Sequence, residues 1–205
     1  MNNAAALYFK DEFAQSTESA AAIASIFGWM NLFARGLGGY ASDKCSAWAG
    51  MRGRIAIHTL LLLAEGVLVL VFANTGSLGL AILVMVFFSL FVQAAEGSTY
   101  GIVPYVDPPA TGSIAGIVGA GGNTGAVCFG LGFRNLEYRP AFYLMGITII
   151  ASSVMSAGIY IKGHSALFCG QDEIVETEEK GQTLVVPEQD GKKESEIEIE
   201  EEIDC

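Results

Sequence analysis

Histidine and cysteine are scarce in this chain, at 2 and 4 among 205 residues. Cys45, Cys128, Cys169 and Cys205 have neither metal-ligand spacing nor the paired pattern of a secreted scaffold, so free thiols are expected. Cys205 is no prenylation signal, because that needs three residues after the cysteine. His58 and His164 stand isolated near expected span ends, and no Ser/His/Asp or metal constellation forms around them. The chain therefore does not read as an enzyme, and no catalytic residue, cofactor or metal is expected. No basic leader precedes the apolar stub Met1–Phe9, so a signal peptide is not indicated.

Charge is scarce where it would matter for a soluble surface. Up to Cys169, eight acids are matched by eight lysines and arginines, so that part is neutral. The whole net charge of -11 arises beyond it, where 14 acids face Lys180, Lys192 and Lys193. That segment is Glu-rich, has no aromatic after Phe168 and cannot bury a core. Residues 163–205 are expected to be a disordered acidic tail, with the acid/Ile alternation of Glu194–Ile203 open to partner-induced order. Nothing in the chain calls for nucleic acid.

What is abundant is apolar sequence. The chain is 52% hydrophobic with a mean hydropathy of +0.45, too apolar for an ordinary soluble domain. A helix needs roughly 20 apolar residues to cross about 30 Å of hydrocarbon. Five such runs are present, over Thr17–Ala41, Ile55–Ala73, Ser77–Val103, Thr111–Phe133 and Pro140–Ile161. Met1–Phe9 reads as the end of a sixth. Residues 1–162 are thus expected to form an all-α bundle in a lipid bilayer. Lys44, Arg52 and Arg54 orient the Ser42–Arg54 connection to the cytoplasm, and alternation leaves the tail on that side.

Three ionisable residues fall inside spans: Arg35, Glu65 and Glu96. Arg35 precedes Asp43 by eight residues, or about 12 Å of helix, which puts it near the midplane. It needs an internal carboxylate (Glu65 or Glu96), backbone carbonyls or an anionic ligand. Glu96 lies in a polar cluster with Gln93, Gly97, Ser98, Thr99 and Tyr100. It is a candidate proton-coupling group or a structural hydrogen-bond partner.

The segment Gly119-Ala120-Gly121-Gly122-Asn123-Thr124-Gly125-Ala126 stands in the fourth run. Each glycine costs roughly 1 kcal/mol of helix propensity relative to alanine, so this many imply close backbone approach. At 100° per residue Gly121, Gly125 and Gly132 share one face, suited to helix packing. Asn123 lies opposite with Gly116, Gly119 and Gly130, facing a polar partner or a ligand.

Three stretches together resemble the nitrate/nitrite porter family of the major facilitator superfamily, in its eukaryotic, algal-type high-affinity form. Ala34–Asp43 resembles the G-G-x-x-S-D helix end, with the family's arginine upstream at Arg35. Gly101–Val106 resembles the tenth-helix ending, and Gly119–Ala126 the second nitrate signature on the eleventh helix. The resemblance covers Asn3 to Ile161. It implies the C-terminal half of a twelve-helix bundle in the plasma membrane, with Met1 an internal methionine and the N-terminal half upstream. It implies cation-coupled uptake of nitrate, and of nitrite, by alternating access for nitrate assimilation, with protons as the cation. Arg35 would be one of two arginines clamping the anion. Gly119, Gly121, Gly122, Asn123 and Gly125 would line the path or pack beside it. An accessory membrane subunit is a further candidate partner. Asp107-Pro108-Pro109 departs from the basic pair of many relatives, and Glu96 takes no role from the resemblance. Other readings are a transporter of another small anion and a non-transporting membrane sensor that binds a partner through its tail.

Overall fold

A computed structural model describes residues 2–168 and, beyond them, two short strands at Glu176–Glu179 and Gln182–Val185. The apolar runs form helices α1 (Asn2–Glu12), α2 (Thr17–Phe72), α3 (Leu78–Ile102), α4 (Thr111–Asn135) and α5 (Tyr138–Ala157). Ser16 starts α2 by accepting a hydrogen bond from the Ser19 backbone N–H at 3.1 Å. As one straight rod, α2 would run about 84 Å, far more than a bilayer accommodates. It breaks at Ala49 (φ -136) and Gly50 (φ 60, ψ -149), the latter a conformation that glycine adopts without a Cβ clash. The result is two arms, residues 17–48 and 51–72. Among the described residues four helices are long and apolar enough to cross a membrane, and the divided α2 supplies two of the expected five crossings.

The boundaries differ from expectation at two places. The Ser42–Arg54 connection, expected as a loop, is helical except at its break, because α2 carries Asp43 and Lys44 outward without unwinding. Residues 163–168, expected in the tail, lie against the body. The Ser165 hydroxyl accepts from the Arg52 backbone N–H at 3.2 Å, the Arg52 Nε donates to the Ala166 carbonyl at 3.2 Å, and Leu167 packs on a cluster with Met51 and Ile55. Within the tail, Glu176–Glu179 pairs antiparallel with Gln182–Val185. A lone two-stranded ribbon is marginal in water, so it adds no second core. The Glu194–Ile203 stretch lies outside the described residues.

The bundle is held differently at its two ends. At the α1 end, Phe9, Phe72, Phe88 and Phe142 are fully buried with Met85 and Val69. Edge-to-face pairs such as Phe72–Phe142 (5.0 Å) and Phe133–Phe142 (4.8 Å) tie α2, α4 and α5 together, and Tyr8 of α1 contacts Phe72 at 5.1 Å. At the opposite end, the buried Arg54 guanidinium meets Asp43 Oδ1 at 2.7 Å, Ser42 Oγ at 3.3 Å and the Tyr105 hydroxyl at 3.2 Å. This ion pair links the two arms of α2 across their break.

Between the ends, glycines bring helices to backbone contact. A Cβ on Gly38 would lie 2.0 Å from the Ala94 carbonyl oxygen, and one on Gly97 would lie 2.0 Å from that of Arg35. The first arm of α2 and α3 therefore touch backbone to backbone. Gly66 and Gly146 do the same for the second arm and α5, where a Cβ on either would lie 3.1 Å from the other's carbonyl oxygen. Beside them, His58 Nδ1 bonds to Ser98 Oγ at 2.8 Å and Ser153 Oγ donates to the Thr59 carbonyl at 3.0 Å. His58 is thus a buried helix-to-helix contact and not an isolated boundary residue.

Gly97→Leu in the full-length protein should force α2 and α3 apart. Overpacking of this kind costs about 1–3 kcal/mol or more. The expected outcome is a lowered unfolding temperature and loss of monodisperse protein on size exclusion in detergent, whereas Gly76→Ala, in open space, should be silent.

Candidate functional site

The Gly38–Gly97 crossing puts two charged side chains at the same height. Arg35 precedes Gly38 by three residues, and Glu96 is next to Gly97. The Arg35 Nη2 and Glu96 Oε2 form an ion pair. Of the partners open to Arg35, the carboxylate is therefore Glu96. Glu65 lies seven residues before Phe72, about 10 Å along the second arm, and belongs to the aromatic half of the bundle. The height agrees from each side: Arg35 is eight residues from Asp43, and Glu96 eight from Pro104, about 12 Å in both cases.

The pair is not sealed. The Arg35 and Glu96 side chains remain 43% and 41% exposed, which leaves both accessible to a solute. Arg35 lines an open cavity of about 810 Å³ with Gly28, Asn31, Leu32, Gly36, Gly97 and Tyr100. Glu96 lines a second of about 530 Å³ with Thr99, Tyr100, Val118, Gly119, Gly122 and Asn123. Tyr100 borders both, so the ion pair stands between two neighbouring hollows.

The glycine–Asn segment divides as its periodicity predicts, but its two faces fare differently. Asn123, Gly119 and Gly122 turn toward Glu96 and Tyr100; a Cβ on Gly119 would sit 3.8 Å from the Tyr100 hydroxyl. Asn123 makes no hydrogen bond to any other group among the described residues. Its amide is open to the cavity. Gly121, Gly125 and Gly132, expected to pack tightly, would each place a Cβ with nothing within 4 Å of it among the described residues, and α4 buries none of its residues. Close packing is instead the work of Gly38, Gly97, Gly66 and Gly146. The structure thus brings Arg35, Glu96, Asn123, Gly119 and Gly122 together and leaves Gly121 and Gly125 outside.

Asn31 escaped the sequence reading. It lies one turn before Arg35, and Gly28, Asn31, Leu32 and Arg35 follow the i, i+3, i+4, i+7 spacing of one helix face. That spacing was the available signal. No group of three or more His, Cys, Asp or Glu fit to hold a metal occurs among the described residues.

These elements define an all-α, multi-pass integral membrane protein with the architecture of a C-terminal major facilitator half-bundle. The chain is 40% identical over 182 residues to high affinity nitrate transporter 2.5 of Arabidopsis thaliana, covering 87% of this chain and 36% of that protein. It is 34% identical over 188 residues to nitrate transporter 2.2 of Chlamydomonas reinhardtii, covering 87% of this chain and 37% of that one. With the nitrate/nitrite transporter NrtP of Picosynechococcus it shares 42% over 124 residues, 60% of this chain and 22% of the relative. No protein-family model and no solved structure matches it. The chain belongs to the nitrate/nitrite porter family, and it spans little more than a third of the length of the plant and algal relatives.

An ion pair with two partly exposed members should show as a coupling. Arg35→Ala, which strands Glu96, should destabilise the full-length protein by about 1–2 kcal/mol, less than the 3–5 kcal/mol of a sealed pair. Arg35→Ala/Glu96→Ala should recover part of that loss in a thermal unfolding cycle; strict additivity of the two single changes would count against the pair.

Proposed function

We propose that the protein containing this chain is a nitrate transporter of the plasma membrane, accepting nitrite as well, in which Arg35 binds the anion. The observation that carries the reading is a guanidinium near the middle of an apolar span, facing open cavities and balanced by one carboxylate. Nitrate is a planar monoanion, and the guanidinium fork offers it two parallel hydrogen bonds that an ammonium group cannot imitate. Desolvating both ions is costly unless further polar groups complete the site. Asn123, unbonded and open to the cavity, and the bare backbone of Gly119 and Gly122 supply such groups. Gly121 and Gly125 act outside the cavity, as an unoccupied face of the same helix toward the upstream half.

Entry of an anion into a negative-inside cell is opposed by about 2.3 kcal/mol per 100 mV. A co-transported cation offsets this, and the proton is the one we assign. Alternating access requires two bodies to rock about a midplane site. This chain is one of them; the upstream part of the same polypeptide is the other. Lys44, Arg52 and Arg54 favour a cytoplasmic Ser42–Arg54 end and hence a cytoplasmic acidic tail. The imported nitrate serves nitrate assimilation.

Arg35→Lys in the full-length transporter, expressed in oocytes, should reduce uptake of labelled nitrate at least about tenfold, with surface expression unchanged. Asn123→Ala should raise the half-saturating nitrate concentration about tenfold, the effect of one lost hydrogen bond to a charged group. Full uptake by Arg35→Lys would remove Arg35 from the site. Failure of nitrite to compete with nitrate would narrow the substrate.

A further inference from the structure

We propose that Glu96 is the resident anion of the Arg35 site: nitrate displaces it, and the displaced carboxylate takes up one proton, so that a proton is bound with each nitrate. The inference rests on the reading of Arg35 as the anion-binding group. Glu96 is thereby both competitor and coupling residue.

The first argument is geometric. Among the described residues, Arg35 and Glu96 are each other's sole charged partner. A carboxylate and a nitrate present the same edge to a guanidinium, two oxygens on one planar centre, so both want the same fork. Both edges of a guanidinium use one terminal nitrogen in common, and Glu96 holds the Arg35 Nη2, so nitrate and Glu96 compete for that nitrogen.

Charge supplies the second argument. The pair is neutral in the apolar span. A nitrate on Arg35 with Glu96 still ionised adds a negative charge that needs a new partner. The helices packed around Glu96 provide none. On the first arm of α2 the charged group facing it is Arg35 itself. On the second arm, His58 is bonded to Ser98 on another face of α3, and Arg54 is committed to Asp43, Ser42 and Tyr105. Glu65 on that arm is an acid and lies nearer the aromatic end. α3 adds Tyr100, and α4 adds the neutral Asn123; the α4 cation, Arg134, is in its last turn. A proton from water on the Glu96 carboxylate restores neutrality, and its return to water on the other side lets Glu96 reclaim Arg35 and expel the anion.

Room for the movement is the third argument. Glu96 already lines the cavity of about 530 Å³ beside Thr99, Tyr100 and Asn123. A protonated carboxyl swung off Arg35 meets the unbonded Asn123 amide there. No packed core has to open.

The test uses the full-length transporter in proteoliposomes, with labelled nitrate as the probe. Counterflow of nitrate needs no proton gradient, whereas uphill accumulation under an inside-alkaline gradient does. In the wild type, the half-saturating nitrate concentration for counterflow should rise by up to about tenfold per pH unit on the alkaline side, as binding linked to one proton requires. Glu96→Gln should keep counterflow, change its half-saturation less than about twofold between pH 5.5 and 7.5, and lose gradient-driven accumulation at least about tenfold. Glu96→Asp should restore accumulation. Accumulation by Glu96→Gln that still follows the pH gradient overturns the proposal. So does loss of counterflow and accumulation together in a Glu96→Gln protein that elutes as the wild type does, since that marks a structural role. Counterflow by the wild type that ignores nitrate sinks the nitrate reading itself, a result visible before any Glu96 variant is made.

Discussion

The contact of Gly38 and Gly97 with the backbones of α3 and α2 is the constraint on which the rest depends. With no side chain between them, the two helices meet at the carbonyl oxygens of Ala94 and Arg35. Any larger residue would push them apart and rotate what lies on either side. Because Arg35 sits one turn from Gly38 and Glu96 adjoins Gly97, the same contact that joins the helices sets the ion pair. Packing and electrostatics are here one feature, carried by residues that have no side chain.

The polar centre is tolerable because the two ends are stiff. Edge-to-face aromatic packing closes the end where Phe9, Phe72 and Phe142 lie, and the Arg54–Asp43–Tyr105 cluster clamps the break in α2 at the other. Between these ends lies the open, charged centre. There the Arg35–Glu96 pair and the Asn123 amide face cavities bordered by Tyr100. Under the proposed function, a frame packed at both ends around an open, charged centre suits a body that rocks as a unit while its central partners exchange.

The helix α4 is the exception to this packing. It buries no residue, and most of its glycines face open space. Glycine-rich surface that contacts nothing is costly in helix propensity without a return within this chain. Under the proposed function the return comes from the upstream half of the polypeptide, against which such a surface can lie closely.

Much of this was legible in the residues alone. Span number, the neutral body, the acidic tail and the depth of Arg35 follow from counting, because membrane thickness and helix rise are fixed lengths. The two faces of the Gly119–Ala126 segment follow from 100° per residue, and the family from three local motifs. The partner of Arg35 did not follow, since Glu65 and Glu96 are alike in a linear sequence. Nor did the packing glycines, for a glycine that admits a neighbour looks the same as one that faces nothing. The continuation of α2 past Ala41 and the seating of residues 163–168 were hidden for the same reason. All of these depend on how helices rotate and cross. Composition and periodicity determined which helices exist and which face of each is polar; only the tertiary structure, through the backbone contacts at Gly38 and Gly97, decided which charges meet.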